Sequence, residues 1–343
     1  MDLFINNRRY IGSKKSLLNQ IQKVILEYYG KDKCTIADIF GGTGVVAEHF
    51  MNQGYNVIVN DFLYSNYVAY ITWISNKKID ERKIKKFIEQ YNNIDEKKIK
   101  NNYFSKIYGN KYFSVNDAKK IGYIRELIEK EKNNLTEREY SSLLTSLMYA
   151  TDKIANTVGH FEHYLSKKPI DRDITMRVPF ITKDRKSTSE IYSMDANELV
   201  KQISCDVMYI DPPYNARQYI NFYHVLENLV KWQKPTEFEG ISMKFKRDDL
   251  KSGYSQSKAP KLMEDLINNA KCKLIIVSYN NTYNAKSGAS NNKISKEELY
   301  NILSKKGKTD IIEIDYKSFN AGKTNFDNHK EKLYVCEVNL EWV

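Results

Sequence analysis

Residues 206 to 214 read DVMYIDPPY, and the last four of them could do chemistry. The apolar run Val207, Met208, Tyr209, Ile210 has the length and flanks of a buried strand. It stops on Asp211, Pro212, Pro213 and Tyr214. Neither proline can continue a helix or a central strand, so the backbone must leave the sheet in a fixed, extended shape. A carboxylate, a carbonyl with no competing neighbouring N–H, and an aromatic ring are then held together at the mouth of a sheet. Two acceptors suit the two N–H groups of an exocyclic amine, and the ring suits the face of a planar base. Asp-Pro-Pro also occurs as a plain turn after a strand, so the tetrapeptide alone leaves both readings open.

A second motif lies far upstream. Residues 35 to 44 read TIADIFGGTG. Ile36 to Phe40 is a short strand, Gly41, Gly42 and Gly44 make a tight loop, and Val45 to Asn52 is helical. Such strand-to-helix turns let backbone approach a ligand closely. A second strand, Tyr55 to Asn60, ends on Asp61, the spacing at which an acid meets ribose hydroxyls. In an open doubly wound sheet, ligands bind beyond the carboxyl ends of the strands where strand order reverses. With Ile36–Phe40 as strand one and Val207–Ile210 as strand four, those ends are neighbours. A nucleoside on the glycine loop would meet the Asp211 site.

Here the chain resembles the S-adenosylmethionine-dependent DNA adenine-N6 methyltransferases of the Dam-like α class. RRYIGSKKSLLNQI (Arg8 to Ile21) resembles the family's amino-terminal motif, with Lys14 in the place of its lysine. DIFGGTG (Asp38 to Gly44) is similar to its cofactor motif, and DPPY to its catalytic one. The order of the three is that of the α class. Weaker matches are Asp195–Ala196, NARQYINFYHVLE (Asn215 to Glu227), VSYNN (Val277 to Asn281) and LYVCEV (Leu333 to Val338). The resemblance implies an α/β fold: a doubly wound, mostly parallel, Rossmann-like methyltransferase sheet with a mainly helical DNA-recognition insert. It implies methyl transfer from S-adenosylmethionine, without a metal, to N6 of an adenine flipped out of duplex DNA. Asp211, Pro212, Pro213 and Tyr214 would form the catalytic site. Lys14 would pair the cofactor's carboxylate, Phe40, Gly42 and Gly44 would line its methionine and ribose, and Asp61 would take the ribose hydroxyls. Asp195 would take the adenine ring, with Tyr10, Asp38 and Ala196 as further cofactor contacts. Duplex DNA is the implied partner, with a cognate restriction endonuclease acting separately. N4 of cytosine, an RNA base, and a catalytically dead DNA-binding subunit stay open as alternatives.

Composition bears on the partner. The 343 residues carry a formal net charge of +11, which suits a polyanion, although a lysine-rich, AT-biased coding sequence would contribute to the same excess. Residues 66 to 190 hold 25 Lys and Arg against 17 Asp and Glu, most of that excess in about a third of the chain. Their pattern is helical, including a capping box from Thr136 to Glu139 ahead of Leu143, Leu144, Leu147 and Met148. Residues 66–190 are therefore expected to form an inserted recognition domain, and 1–65 with 191–343 the catalytic domain. Arg217, Gln218 and Tyr219 are polar and aromatic residues directly after the catalytic loop, suited to phosphates or an orphaned base. Lys251 lies in the basic stretch Phe238 to Lys258, expected to meet DNA backbone. Leu17, Leu18, Ile21, Val24, Ile25 and Tyr28 recur at helical spacing. Leu274–Ser278 reads as a strand, and Thr309–Tyr316 with Lys332–Glu341 as a closing hairpin. The four cysteines are dispersed and read as buried reduced thiols. With no run of 18 apolar residues and no signal-peptide start, a cytoplasmic location is expected. His160 and His163 lack a third ligand nearby, and Asp315-Tyr316-Lys317 reads as strand rather than as the end of a nuclease motif.

Overall fold

A computed structural model describes residues 2–30, 33–183, 185–280, 291–315 and 330–339. Asn281, Tyr316, Lys317, Leu340 and Glu341, which the sequence reading touched, lie outside the described residues. The chain divides into two compact units.

The sheet unit comprises Ser13–Phe62, Arg185–Tyr219 and Asp249–Val343. In chain order it contains α1 (Leu18–Tyr29), β1 (Thr35–Asp38), α2 (Val45–Asn52) and β2 (Asn56–Asn60). There follow β3 (Ser189–Tyr192), α8 (Ala196–Val200), β4 (Val207–Ile210), α10 (Ala259–Asn269), β7 (Leu274–Asn280), α11 (Lys296–Ser304), β8 (Gly307–Asp315) and β9 (Lys330–Val338). The seven strands lie in the order β3-β2-β1-β4-β7-β9-β8. The first five run parallel, and β9 enters antiparallel between β7 and β8. β1 and β4 are adjacent, with Ile36 opposite Val207 and Asp38 opposite Tyr209, so strand order reverses between them as expected. All four residues of β4 are buried, the mark of a strand covered on both faces. α2 and β4 have the bounds read from sequence, whereas β1 stops at Asp38 because Ile39 and Phe40 already turn into the glycine loop.

The helical unit comprises Met1–Gly12, Leu63–Asp184 and Ile220–Asp248, more chain than the expected 66–190. Its helices are α3 (Tyr64–Trp73), α4 (Glu81–Asn92), α5 (Tyr103–Tyr108), α6 (Val115–Lys130), α7 (Glu137–Ile154) and most of α9 (Tyr219–Lys231); β5 (Phe238–Glu239) and β6 (Lys244–Phe245) form a short ribbon. The Thr136–Glu139 capping box starts α7. Buried side chains close the helix ends and tie distant segments together. Glu227 of α9 accepts the Tyr64 and Ser65 amides at 3.0 and 2.9 Å, capping α3 where its own N-terminal amides lack intrahelical partners. Arg125 of α6 donates to Leu229 and Val230 carbonyls at 2.9 and 3.1 Å, at the end of α9. Leu3 bridges to Pro179. These bonds explain why 1–12 and 220–248 join the helices. The stretch Phe238–Lys258, expected as one basic loop, is split: its ribbon belongs to this unit and Lys251 to the other. Among the described residues no helix is long and apolar enough to cross a membrane.

Glu227 is fully buried and also meets Lys231 at 3.3 Å, so Glu227→Ala leaves two amides and a cation short of an acceptor. It should lower the unfolding free energy by about 3 kcal/mol, read from urea melts.

Candidate active site

The carboxyl ends of β1, β2 and β4 carry most of the residues singled out from sequence. After β1 the chain turns through Gly42 at φ 54° and Gly44 at φ 82°, left-handed conformations that favour glycine. The loop is closed from outside. Asp61, just past β2, accepts the Gly42 amide at 2.9 Å, and the Gly41 amide donates to Asn60 O at 2.8 Å. Asn60 in turn holds the turn after β3, with its amide nitrogen on Ile39 O and Met194 O and its oxygen on Met194 N. Asp195 is exposed and caps α8 through the amides of Asn197 and Glu198. Ala196 is in the core, and Phe40 packs edge-on to Tyr254, ring centroids 5.0 Å apart.

β4 delivers Asp211 into a buried charge cluster. Lys14 Nζ lies 2.9 Å from Asp211 Oδ1, 2.8 Å from Tyr214 OH and 3.5 Å from Glu331 Oε1. The Tyr214 hydroxyl is also hydrogen-bonded to Asp211 and lies 2.8 Å from Glu331 Oε1. Ser278 of β7 donates to the same Glu331 oxygen at 2.6 Å. Lys14 is only 6% exposed, Glu331 4% and Asp211 16%. Burial alone would push the Lys14 ammonium down, but the charges of Asp211 and Glu331 outweigh it and hold the group protonated. Burial raises Asp211 above the usual carboxylate range, with Glu331 adding and Lys14 opposing. Asp38 is raised too, first by burial and then by Asp211 and Asp61. Among the described residues neither Asp38 oxygen has a hydrogen-bond partner of good geometry, and the Ala47 amide only partly opposes the shift.

Other sequence candidates are placed differently. Gln218 exchanges two hydrogen bonds with the Ser252 backbone, at 2.7 and 3.0 Å, so its amide braces the loop after β4. Arg217 and Lys251 are exposed. Burial raises the Tyr219 hydroxyl, with the field of Asp211 adding. Tyr10 lies in the helical unit, stacked on Tyr223 at 4.6 Å with Arg8 over both rings. Glu331 and Ser278 are the residues that sequence reasoning missed as site members. Ser278 lay inside a weak motif match; Glu331 stands at the start of β9 with only its charge ahead of LYVCEV as a signal.

The doubly wound sheet thus brings a glycine loop and an Asp-Pro-Pro-Tyr turn to neighbouring strand ends at its switch point. The chain belongs to the D12 class of N6 adenine-specific DNA methyltransferases, whose family pattern matches residues 10–318. It is 36% identical over 342 residues to modification methylase StsI of Streptococcus sanguinis, covering 94% of this chain and 50% of that protein. It is 32% identical over 347 residues to type II methyltransferase M.NlaIII of Neisseria lactamica, covering 96% of this chain and 98% of that one. With M.FokI of Planomicrobium okeanokoites the identity is 32% over 344 residues, 95% of this chain and 51% of the relative. The chain thus spans about half the length of two of these relatives and nearly all of the third.

Lys14→Met removes the cation from between Asp211 and Glu331. Asp211, raised in the folded state, would rise further, so the variant's fold binds more protons than its unfolded chain. Its stability is then lost as pH climbs through the raised value. Melts should show a deficit of about 3 kcal/mol at pH 8, shrinking at pH 5.

Proposed function

We propose that this chain transfers a methyl group from S-adenosylmethionine to N6 of an adenine flipped out of duplex DNA. The observation that carries the reading is Asp211-Pro212-Pro213-Tyr214 at the end of β4, beside the glycine loop that leaves β1. The donor set fits a cationic cofactor. Asp38, Asp61, Asp211 and Glu331 outnumber Lys14 in this part of the sheet unit, and the buried Asp38 carboxyl is raised by burial and by its acidic neighbours. With a sulfonium and an ammonium against one carboxylate, the cofactor brings a net positive charge that would relieve part of that surplus. Phe40, Gly42 and Gly44 would line the methionine and ribose, Asp61 would take the ribose hydroxyls, Asp195 the adenine ring and Lys14 the carboxylate, with Asp38 and Ala196 as further contacts. When bound, S-adenosylmethionine supplies a methyl on a sulfonium whose leaving group is a neutral thioether, so no acid is needed.

The protein's task is the nucleophile, because the amino lone pair of adenine is delocalised into the ring. Asp211 and the Pro212 carbonyl accept its two N–H groups and favour a pyramidal nitrogen. They also stabilise the positive charge that develops there. Tyr214 stacks on the extruded base. The family favours this over N4 of cytosine or an RNA base, and the complete tetrad favours it over a dead subunit. The helical unit is proposed to choose the target, with Arg217, Gln218, Tyr219 and Lys251 as DNA contacts from the sheet unit. A separate restriction endonuclease of the same site is the proposed functional partner in the cytoplasm, following the modification methylases it resembles.

Asp211→Ala should abolish transfer while calorimetry still reports cofactor binding; near-wild-type turnover would sink the mechanism. Because burial raises Asp211 and only its ionised form accepts the amine, single-turnover rates should fall on acidification at a pH above the ordinary aspartate value of about 3.9.

Lys and Arg residues of 66–190 should divide on alanine substitution. Phosphate contacts should weaken all duplexes alike and flatten the salt dependence by about one unit each. Base readers should relax one position of the site at roughly 1–3 kcal/mol. Modification sequencing at two salt concentrations separates the two; no effect from any of them would move recognition elsewhere.

A further inference from the structure

A single exposed apolar side chain needs no explanation by itself. Ile241 differs in where it stands. It is 74% exposed, the most exposed large apolar side chain among the described residues, and it sits at the tip of the β5–β6 ribbon of the helical unit. Such tips are ordinarily polar. The ribbon is also built to hold still. At its base Phe238 lies opposite the buried Phe245 and meets the Tyr108 ring edge-on at 6.4 Å. At its tip the Met243 amide donates to Gly240 O at 3.2 Å, with Gly240 at φ 62° and Met243 at φ 51°. A left-handed methionine persists only where its surroundings impose it. Ser242, buried beside it, is what imposes it. Its carbonyl lies 2.8 Å from His224 Nε2 and 3.1 Å from the Tyr112 hydroxyl, and its own hydroxyl donates to Glu162 O at 2.7 Å. The turn is thus fastened through Ser242, while its neighbour Ile241 projects into solvent. Lys244, Lys246 and Arg247 follow on the second arm, against one acid in residues 238–247, Glu239, which Arg247 meets at 3.2 Å.

We propose that Ile241 is a wedge that enters the base stack of the target duplex where the adenine is extruded. This rests on the methyl-transfer reading above. Extruding a base breaks its pair and its stacking contacts, and it opens an apolar gap to water. An aliphatic side chain in that gap takes its own exposed surface out of water together with that of the flanking bases, and it blocks the return of the base. A side chain already held out on a fastened turn does this with little ordering left to lose. Isoleucine brings no hydrogen bond, so it keeps the gap open without reading a base. The cations behind it suit phosphates of any sequence.

The test compares two duplexes that carry the wild-type site found by modification sequencing. In one the target adenine faces thymine; in the other it faces an abasic position, so that less has to be broken to extrude it. The readout is single-turnover transfer from labelled S-adenosylmethionine with protein below saturation, each variant set against wild type on the same duplex. Ile241→Ala should slow transfer about tenfold or more on the paired duplex and less than about threefold on the abasic one, with cofactor affinity unchanged. Ile241→Leu, which keeps the apolar bulk, should stay within about threefold of wild type on both. Should Ile241→Ala fail to fold, Ile241→Ser is run in its place with the same result expected. A rate within about twofold of wild type on the paired duplex, an equal loss on both duplexes, or a Leu variant as slow as the Ala one overturns the proposal. If wild type labels adenine and one of these is seen, only the Ile241 assignment falls. If wild type labels no adenine, the methyl-transfer reading falls and this one with it.

Discussion

The parallel pairing of β1 with β4 is the constraint on which the site depends. It puts Asp38 opposite Tyr209, so the glycine loop and the Asp-Pro-Pro-Tyr turn leave the sheet from neighbouring strand ends. A one-residue slip would exchange the faces of every side chain on β4, and its burial on both faces would not by itself forbid that. What pins the register lies at both ends. At the far end, the Asp206 amide donates to Thr35 O while its side chain accepts the Thr35 amide at 3.0 Å. Near the site, the Ile39 amide donates to Tyr209 O. The two prolines then remove the N–H groups that would let the strand continue pairing, and the chain is released at Asp211.

Release at that point creates an electrostatic problem. Asp38 and Asp211 are buried, and both are raised by burial, with Asp211 adding to the shift of Asp38. Lys14 compensates Asp211 and Glu331 together, which accounts for its being held protonated despite its own burial. Such a cluster is weak as a source of stability, because desolvation offsets most of the attraction. Its value is orientation. Lys14 and the Tyr214 hydroxyl hold Asp211 Oδ1, and Glu331, itself braced by Ser278, holds those two donors in turn.

How much of this could be read from the chain follows from the range of the interactions. α2, β4, the α7 capping box and the β1–β4 adjacency were legible, because each rests on contiguous residues or on a general rule of doubly wound sheets. Asp61 was legible as an acid at the right spacing, though not its bond to the Gly42 amide. Glu331 was not, because it meets Ser278, Tyr214 and Lys14 only after β9 has inserted antiparallel beside β7, where Ser278 sits opposite Leu333. No local pattern announces that pairing. The limits of the helical unit were misjudged for the same reason. Nothing near Glu227 in sequence shows that it caps α3, and Asn215–Glu227 reads as a match to the motif that follows the catalytic tetrad.

The chain path shows where added chain leaves the sheet undisturbed. Excursions into the helical unit begin directly after Phe62, which follows Asp61 at the end of β2, and after Tyr219, which follows the tetrad at the end of β4. Both departures use loops at carboxyl ends of strands. There, added chain breaks no ladder hydrogen bond, and closing a longer loop costs only about 0.6 kcal/mol per doubling of its length. A helical unit grafted at such points can change its surface without altering the register that holds Asp38 and Asp211 together. The linking segment is short and well braced, since Gln218 is clamped to Ser252 and Ser255 donates to Arg217 O. The sheet unit can thus keep the β1–β4 register while the chain inserted at these points varies.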